Sequence, residues 1–202
     1  MEICGALAAH PQAPAFAAEV QRVHRRYAEE VVGAFQLCPF LRDAESAFGR
    51  FCVVLDPVPD VDEALRAATG GEGVAHLVYP LAGAVEATAF ERFGAALYRA
   101  IKAAIPRAPV MATFHPRLSG DSSTSHRLVG VLRRAPDAFV QLVPAGLHQG
   151  GTVFAGSIDA LPPDHAQRNY ERVSGAALER LQATLADIRE DRDRSYASFA
   201  LA

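Results

Sequence analysis

The sequence predicts an α/β fold: a small four-stranded sheet, mixed or mostly parallel, packed with helices in the order α-β-α-β-α-β-α-β-α. Four short apolar, β-branched runs, each ending at a proline, alternate with segments whose apolar residues recur every three or four positions. Half of the 202 residues are hydrophobic, enough to bury a sizeable core. No internal repeat or interdomain linker interrupts the alternation, so one domain is expected. Strands separated by helices imply right-handed crossovers and some parallel pairing.

Residues 1–15, with two prolines among small residues, read as a loose lead-in. From Phe16 a first helix carries Val20, Val23, Tyr27, Val31 and Ala34 on one stripe, with His24 among the arginines of its surface. The stripe extended by four reaches Cys38, and Pro39 disfavours helix before it, so the helix should end near Leu37 or Cys38. "RFCVVLD" at 50–56 is the first strand, and Cys52 alternates into its core face. "DVDEALRAAT" at 60–69 is a short helix with an acidic first turn, and "GVAHLVYP" at 73–80 the second strand. Phe90, Phe93, Leu97 and Ile101 define a long helix over 88–106, followed by the third strand at 109–116. Ser and Thr caps open a helix over 123–136 that closes on two arginines, and 138–144 is the fourth strand.

A small hairpin over 147–154 would turn on Gly150-Gly151. One last amphipathic helix runs from about Pro163 to beyond Ile188, carrying Tyr170, Val173, Ala177, Leu181 and Leu185. Its "REDRDR" end is expected to be a solvated face. The domain is thus 16–190, and 191–202 is a charged helix end and tail.

The net charge of −3 implies neither a nucleic-acid-binding domain nor a polybasic membrane binder. The apolar runs are too short, and too often broken by Pro and Gly, to span a bilayer. An acidic second residue and the lack of a basic start do not resemble a signal peptide. Three cysteines, an odd number without CxxC spacing, point to reduced thiols in a cytoplasm.

Candidate chemistry gathers in two stretches. In "TFHPRLSGDSSTSHR", 113–127, His115 closes the third strand at the carboxyl edge, where open α/β sheets bind ligands. The polar loop behind it feeds a helix N-terminus suited to a carboxylate or phosphate. Ser122, Ser123, Thr124 and His126 supply polar groups, and Arg117 and Arg127 a bidentate anion contact. Tyr79, before Pro80, borders the same edge. In "FQLCPFLRD", 35–43, Cys38 is either a small buried hydrophobe or a functional thiol. A thiolate there would need Arg42 and a histidine to offset the helix C-terminal dipole, with Phe40 beside it. Cys38 and His115, if they converge, make a nucleophile pair or two ligands of a metal. The Cys-Pro dipeptide leaves haem ligation open as well.

"GAFQLCPF", "TFHP", "TSHRLVGVLR" and "YERV", in this order over about residues 25–185, resemble the bacterial family catalogued as domain of unknown function 1415. The resemblance points to Cys38, Pro39, Phe40, His115 and Pro116, and less distinctively to Arg133, Tyr170 and Glu171. Tyr79 stands where the family's second strand ends in His-Pro, Gly130 replaces a family histidine, and Ser125 and Arg127 replace prolines. It implies no established activity.

The expectation is a small cytoplasmic enzyme acting on a small anionic, amino-acid- or peptide-like substrate at a Cys38/His115 pocket. Its rivals are a non-catalytic peptide or small-molecule binding protein and a haem or metal protein with Cys38 or His115 as ligand. The expected partner is a small molecule or peptide, not nucleic acid or membrane, and a homodimer is compatible.

Overall fold

The computed structural model describes residues 1–37, 49–69, 73–144 and 163–201, with only the backbone over 163–166. The fold is α/β, but the sheet has five strands rather than four. The additional strand, β1 (Glu2–Cys4), lies within the stretch expected to be a loose lead-in. It pairs in parallel with β2 (Arg50–Val54), setting Cys4 opposite Val54. A strand of three residues shows too little alternation to be read from sequence; its hydrogen-bonding partner makes it a strand. Gly5, at φ 98°, then turns the chain away, and the Asp56 Oδ1 accepts from the Ala6 N–H at 2.7 Å.

Helix α1 (Ala13–Tyr27) starts with a proline in its first turn, where the absent N–H costs nothing. It widens into a π-helical segment, Ala28–Gly33, ahead of Leu37. After β2 come α2 (Val61–Thr69), β3 (Ala75–Tyr79), α3 (Ala87–Ala104), β4 (Val110–Phe114), α4 (Ser125–Leu132) and β5 (Ala138–Val143). The last helix is two helices, not one: α5 (Pro163–Arg172) and α6 (Ala176–Tyr196). Gly175 separates them at φ 58° and ψ −132°, a conformation that suits a residue without Cβ. The hairpin expected over 147–154 lies outside the described residues.

The strand order is β1-β2-β3-β5-β4. β1, β2 and β3 are parallel, and β5 runs antiparallel to both β3 and β4. Four strands therefore point the same way, and their carboxyl ends share one edge with the start of β5. On one face, Phe51, Val53, Val78, Ala112, Phe114 and Phe139 pack with α1, α4 and α6. On the other, Cys52, Leu77, Tyr79, Met111 and Val140 pack with α2 and α3. Each large apolar side chain sealed in these layers, such as Phe16, Phe90 or Ile188, stabilises the fold by roughly 1.5–3 kcal/mol. Gly94 of α3 sits where a Cβ would overlap the Thr113 methyl, so α3 lies close against β4. None of the described helices is long and apolar enough to cross a membrane.

Candidate functional site

The carboxyl edge is organised around Asp137, the residue before β5. It is 1% exposed. Its carboxylate accepts from His24 Nε2 at 3.1 Å, Arg192 Nε at 2.7 Å and the Tyr196 hydroxyl at 2.8 Å. Burial alone would push this carboxyl up; the His24 hydrogen bond and the Arg192 charge overcome it and hold it below its ordinary value. Arg192 also donates to the Pro80 carbonyl at 2.9 Å. Two expectations change here. His24 is not on the helix surface but buried between the rings of Phe51 and Phe139. The "REDRDR" segment is not merely a solvated face, since Arg192 turns inward to Asp137 and Asp191 pairs with Arg22 and Arg26 of α1.

His115 lies one residue beyond β4 and is 1% exposed. The Arg117 N–H donates to its Nδ1 at 3.1 Å, which puts the proton on Nε2, and Nε2 donates to the Val85 carbonyl at 3.1 Å. Burial lowers its pKa, and the Arg117 charge adds to that. The ring is thus neutral, with both nitrogens bonded to backbone. Tyr79 is also 1% exposed, edge-on to Phe90 and Phe93, and its hydroxyl has no hydrogen-bond partner among the described residues. Burial holds its phenol far above the ordinary value. Among the described residues no group of three or more His, Cys, Asp or Glu could hold a metal. Cys38, Phe40 and Arg42 lie outside the described residues.

The polar loop between β4 and α4 is held by side chains from three directions. Arg189 donates to the Pro116 carbonyl at 3.0 Å. Arg134 donates to those of Leu118 and Gly120 at 2.9 and 3.1 Å. The Tyr170 hydroxyl donates to that of Ser122 at 3.1 Å. Thr124 caps α4, its Oγ1 accepting from the Arg127 N–H at 3.2 Å. Asp121 accepts from the Ser123 N–H at 2.9 Å and from Arg127 Nε at 2.6 Å, and these partners hold its carboxyl well below the usual range. The loop lies directly on α4 because Gly130 has no side chain; a Cβ there would overlap the Ser119 carbonyl oxygen. This loop path therefore requires a glycine at position 130.

Between this loop, α4 and α3, beside the edge strand β4, lies a cavity of about 260 Å³. Its polar lining is Glu91, Thr113, Ser119, His126, Arg127 and Arg133. Arg133 is 8% exposed; burial draws its guanidinium below the ordinary value and the Glu91 carboxylate works against that. The Arg133 carbonyl accepts from the His115 N–H at 3.2 Å, so the end of α4 is tied to the end of β4.

Of the residues singled out from sequence, His126 and Arg127 line this cavity. Ser122, Ser123 and Thr124 do not line it: Thr124 caps α4, Ser123 bonds to Asp121 and the Ser122 carbonyl is held by Tyr170. Arg117 instead donates to the Val85 carbonyl at 2.9 Å, beside His115. Tyr79 belongs to the α2–α3 side of the core, and neither it nor His115 lines the cavity. Glu91 was missed: one position after the buried Phe90, it looks like an ordinary solvated helix residue. Arg133 drew notice only through the resemblance, because an arginine closing a helix is usually explained by the helix dipole. No family model, no curated protein and no solved structure matches this chain.

Proposed function

We propose that the chain binds a small ligand carrying a carboxylate, of amino-acid-like chemistry, in the cavity beside β4. The observation that supports this is the opposite charge among its lining residues: Arg133 and Arg127, the latter also bound to Asp121, and Glu91. A guanidinium matches a carboxylate in a two-point hydrogen bond, and a carboxylate lining the same cavity suits an ammonium. At about 260 Å³ the space falls below the roughly 300–1,000 Å³ typical of pockets for drug-sized molecules, which sets the ligand near a single amino acid in size. The loop carbonyls are already clamped by Arg189, Arg134 and Tyr170, so little ordering remains to be done on binding. Binding is placed ahead of catalysis because His115, the expected base, has both nitrogens bonded to backbone. We read the setting as cytoplasmic from the odd cysteine count.

Calorimetric titration with a panel of amino acids, small dicarboxylates and inorganic phosphate tests this. Saturable binding of an amino acid is expected, weakened roughly 10–100-fold by Glu91→Gln or Arg133→Lys, the loss of one charge-assisted hydrogen bond. Binding of none of the panel, or equal affinity in both variants, would remove the proposal.

A further inference from the structure

A second cluster, at the opposite edge of the sheet from the cavity, has no part in that proposal. The parallel register sets Cys4 opposite Val54 and Glu2 opposite Cys52, so the two cysteines are diagonal neighbours on one face. Their sulfurs stand 2.7 Å apart, and both are free thiols. Cys52 is buried in the core against α2 and α3, whereas Cys4 is half-buried on the edge strand. The pair therefore has an accessible member and a sheltered one, with the two sulfurs already in contact.

We propose that Cys4 and Cys52 are a dithiol that exchanges with small-molecule disulfides, closing into a bond that staples the N-terminal edge strand to β2. In the first step the Cys4 thiolate attacks one sulfur of a disulfide such as oxidised glutathione. The disulfide's S–S bond breaks, a Cys4 mixed disulfide forms, and one small thiolate leaves and takes up the Cys4 proton. In the second step Cys52 gives up its proton and attacks the Cys4 sulfur, expelling the second small thiol. Two protein thiols are oxidised to one disulfide, and one small disulfide is reduced to two thiols. The order follows from the surroundings. The Cys52 hydrogen bond lowers the Cys4 pKa against the opposing effects of burial and of Glu63, Asp56 and Glu2. The same contact, burial and the Glu2 charge raise that of Cys52, with Arg50 opposing. Cys4 is thus the attacking thiol and Cys52 the resolving one.

Closure would span 48 positions of the chain and cross-link a strand held by only three paired residues. That constraint falls mainly on the unfolded chain, so the closed form resists unfolding more than the dithiol.

The test incubates the reduced full-length chain with oxidised glutathione, blocks remaining thiols by alkylation and maps the tryptic peptides without reduction. The expected product joins peptide 1–22 to peptide 51–66, leaves peptide 27–42 with Cys38 alkylated, and raises the thermal midpoint by several degrees. In Cys52→Ser the reaction should stop at a stable glutathione adduct on Cys4. Alkylation of both Cys4 and Cys52 after oxidation, or linkage of either to Cys38 instead, would overturn the assignment.

Discussion

His115 donates from Nε2 to the Val85 carbonyl and accepts at Nδ1 from the Arg117 N–H, in a site with 1% exposure. Removing the ring leaves the Arg117 N–H without its acceptor and takes from the Val85 carbonyl one of two donors, the Arg117 guanidinium being the other. His115→Ala should therefore cost roughly 1–3 kcal/mol of stability in urea unfolding, with ligand affinity unchanged. Lost affinity at full stability would instead return His115 to the binding site. Because burial lowers the folded pKa of this imidazole, the unfolded chain takes up a proton first. Its contribution is present above about pH 6.5, the unfolded value, and declines as pH falls from there toward the folded value. The proline after His115 and the polar loop beyond it made a functional residue plausible from sequence. The carbonyl that engages it belongs to Val85, thirty positions earlier in the chain, and no local pattern discloses such a contact.

The β4–α4 loop depends on its fit against α4. Gly130 and Gly120 face one another there, and a Cβ on Gly130 would meet the Ser119 carbonyl oxygen, a backbone atom that cannot rotate away. Gly130→Ala gains the helix propensity of alanine but must displace residues 118–120. A net loss of roughly 1–3 kcal/mol is expected, as for overpacked sites, together with weaker ligand binding at the cavity the loop encloses. A stabilised variant with unchanged affinity would show that the loop path is not required. The polar loop, its Thr124 cap and the helix behind it were legible, because caps and Gly/Ser/Asp loops act within a few residues of chain. Glu91 was not, and Arg133 stood out only through the resemblance, because the two line one cavity only when α3 and α4 flank β4.

At the scale of the molecule, Asp137 joins three elements. It binds His24 of α1 and Arg192 and Tyr196 of α6 from its place before β5, and Arg192 continues to the end of β3. Asp137→Asn removes a buried charge from the centre of this network and should cost roughly 3–5 kcal/mol, a large share of a typical domain's stability. The depressed folded pKa sets the sign with pH. The contribution is fully present above the unfolded carboxyl value of about 3.9 and is lost as pH falls through the lower folded value. Urea midpoints of both proteins should differ widely at neutral pH and converge as the acid limit is approached. A difference that stays constant down to that limit would mean that packing, not charge, is what the substitution disturbs.

By itself the sequence determined the fold class, four of the five strands and the approximate bounds of most helices. Periodicity and prolines act over a few residues, and each element's apolar face is written in its own segment. It also marked the loop that rims the cavity. Tertiary structure alone decided that residues 2–4 are a strand, that His24 and Arg192 turn inward to Asp137, that Gly175 divides the last helix, and that Cys4 meets Cys52. Each of these depends on a partner between about 48 and 113 positions away or on one backbone dihedral. Pairing energy at that separation exists only once the sheet has brought the segments together.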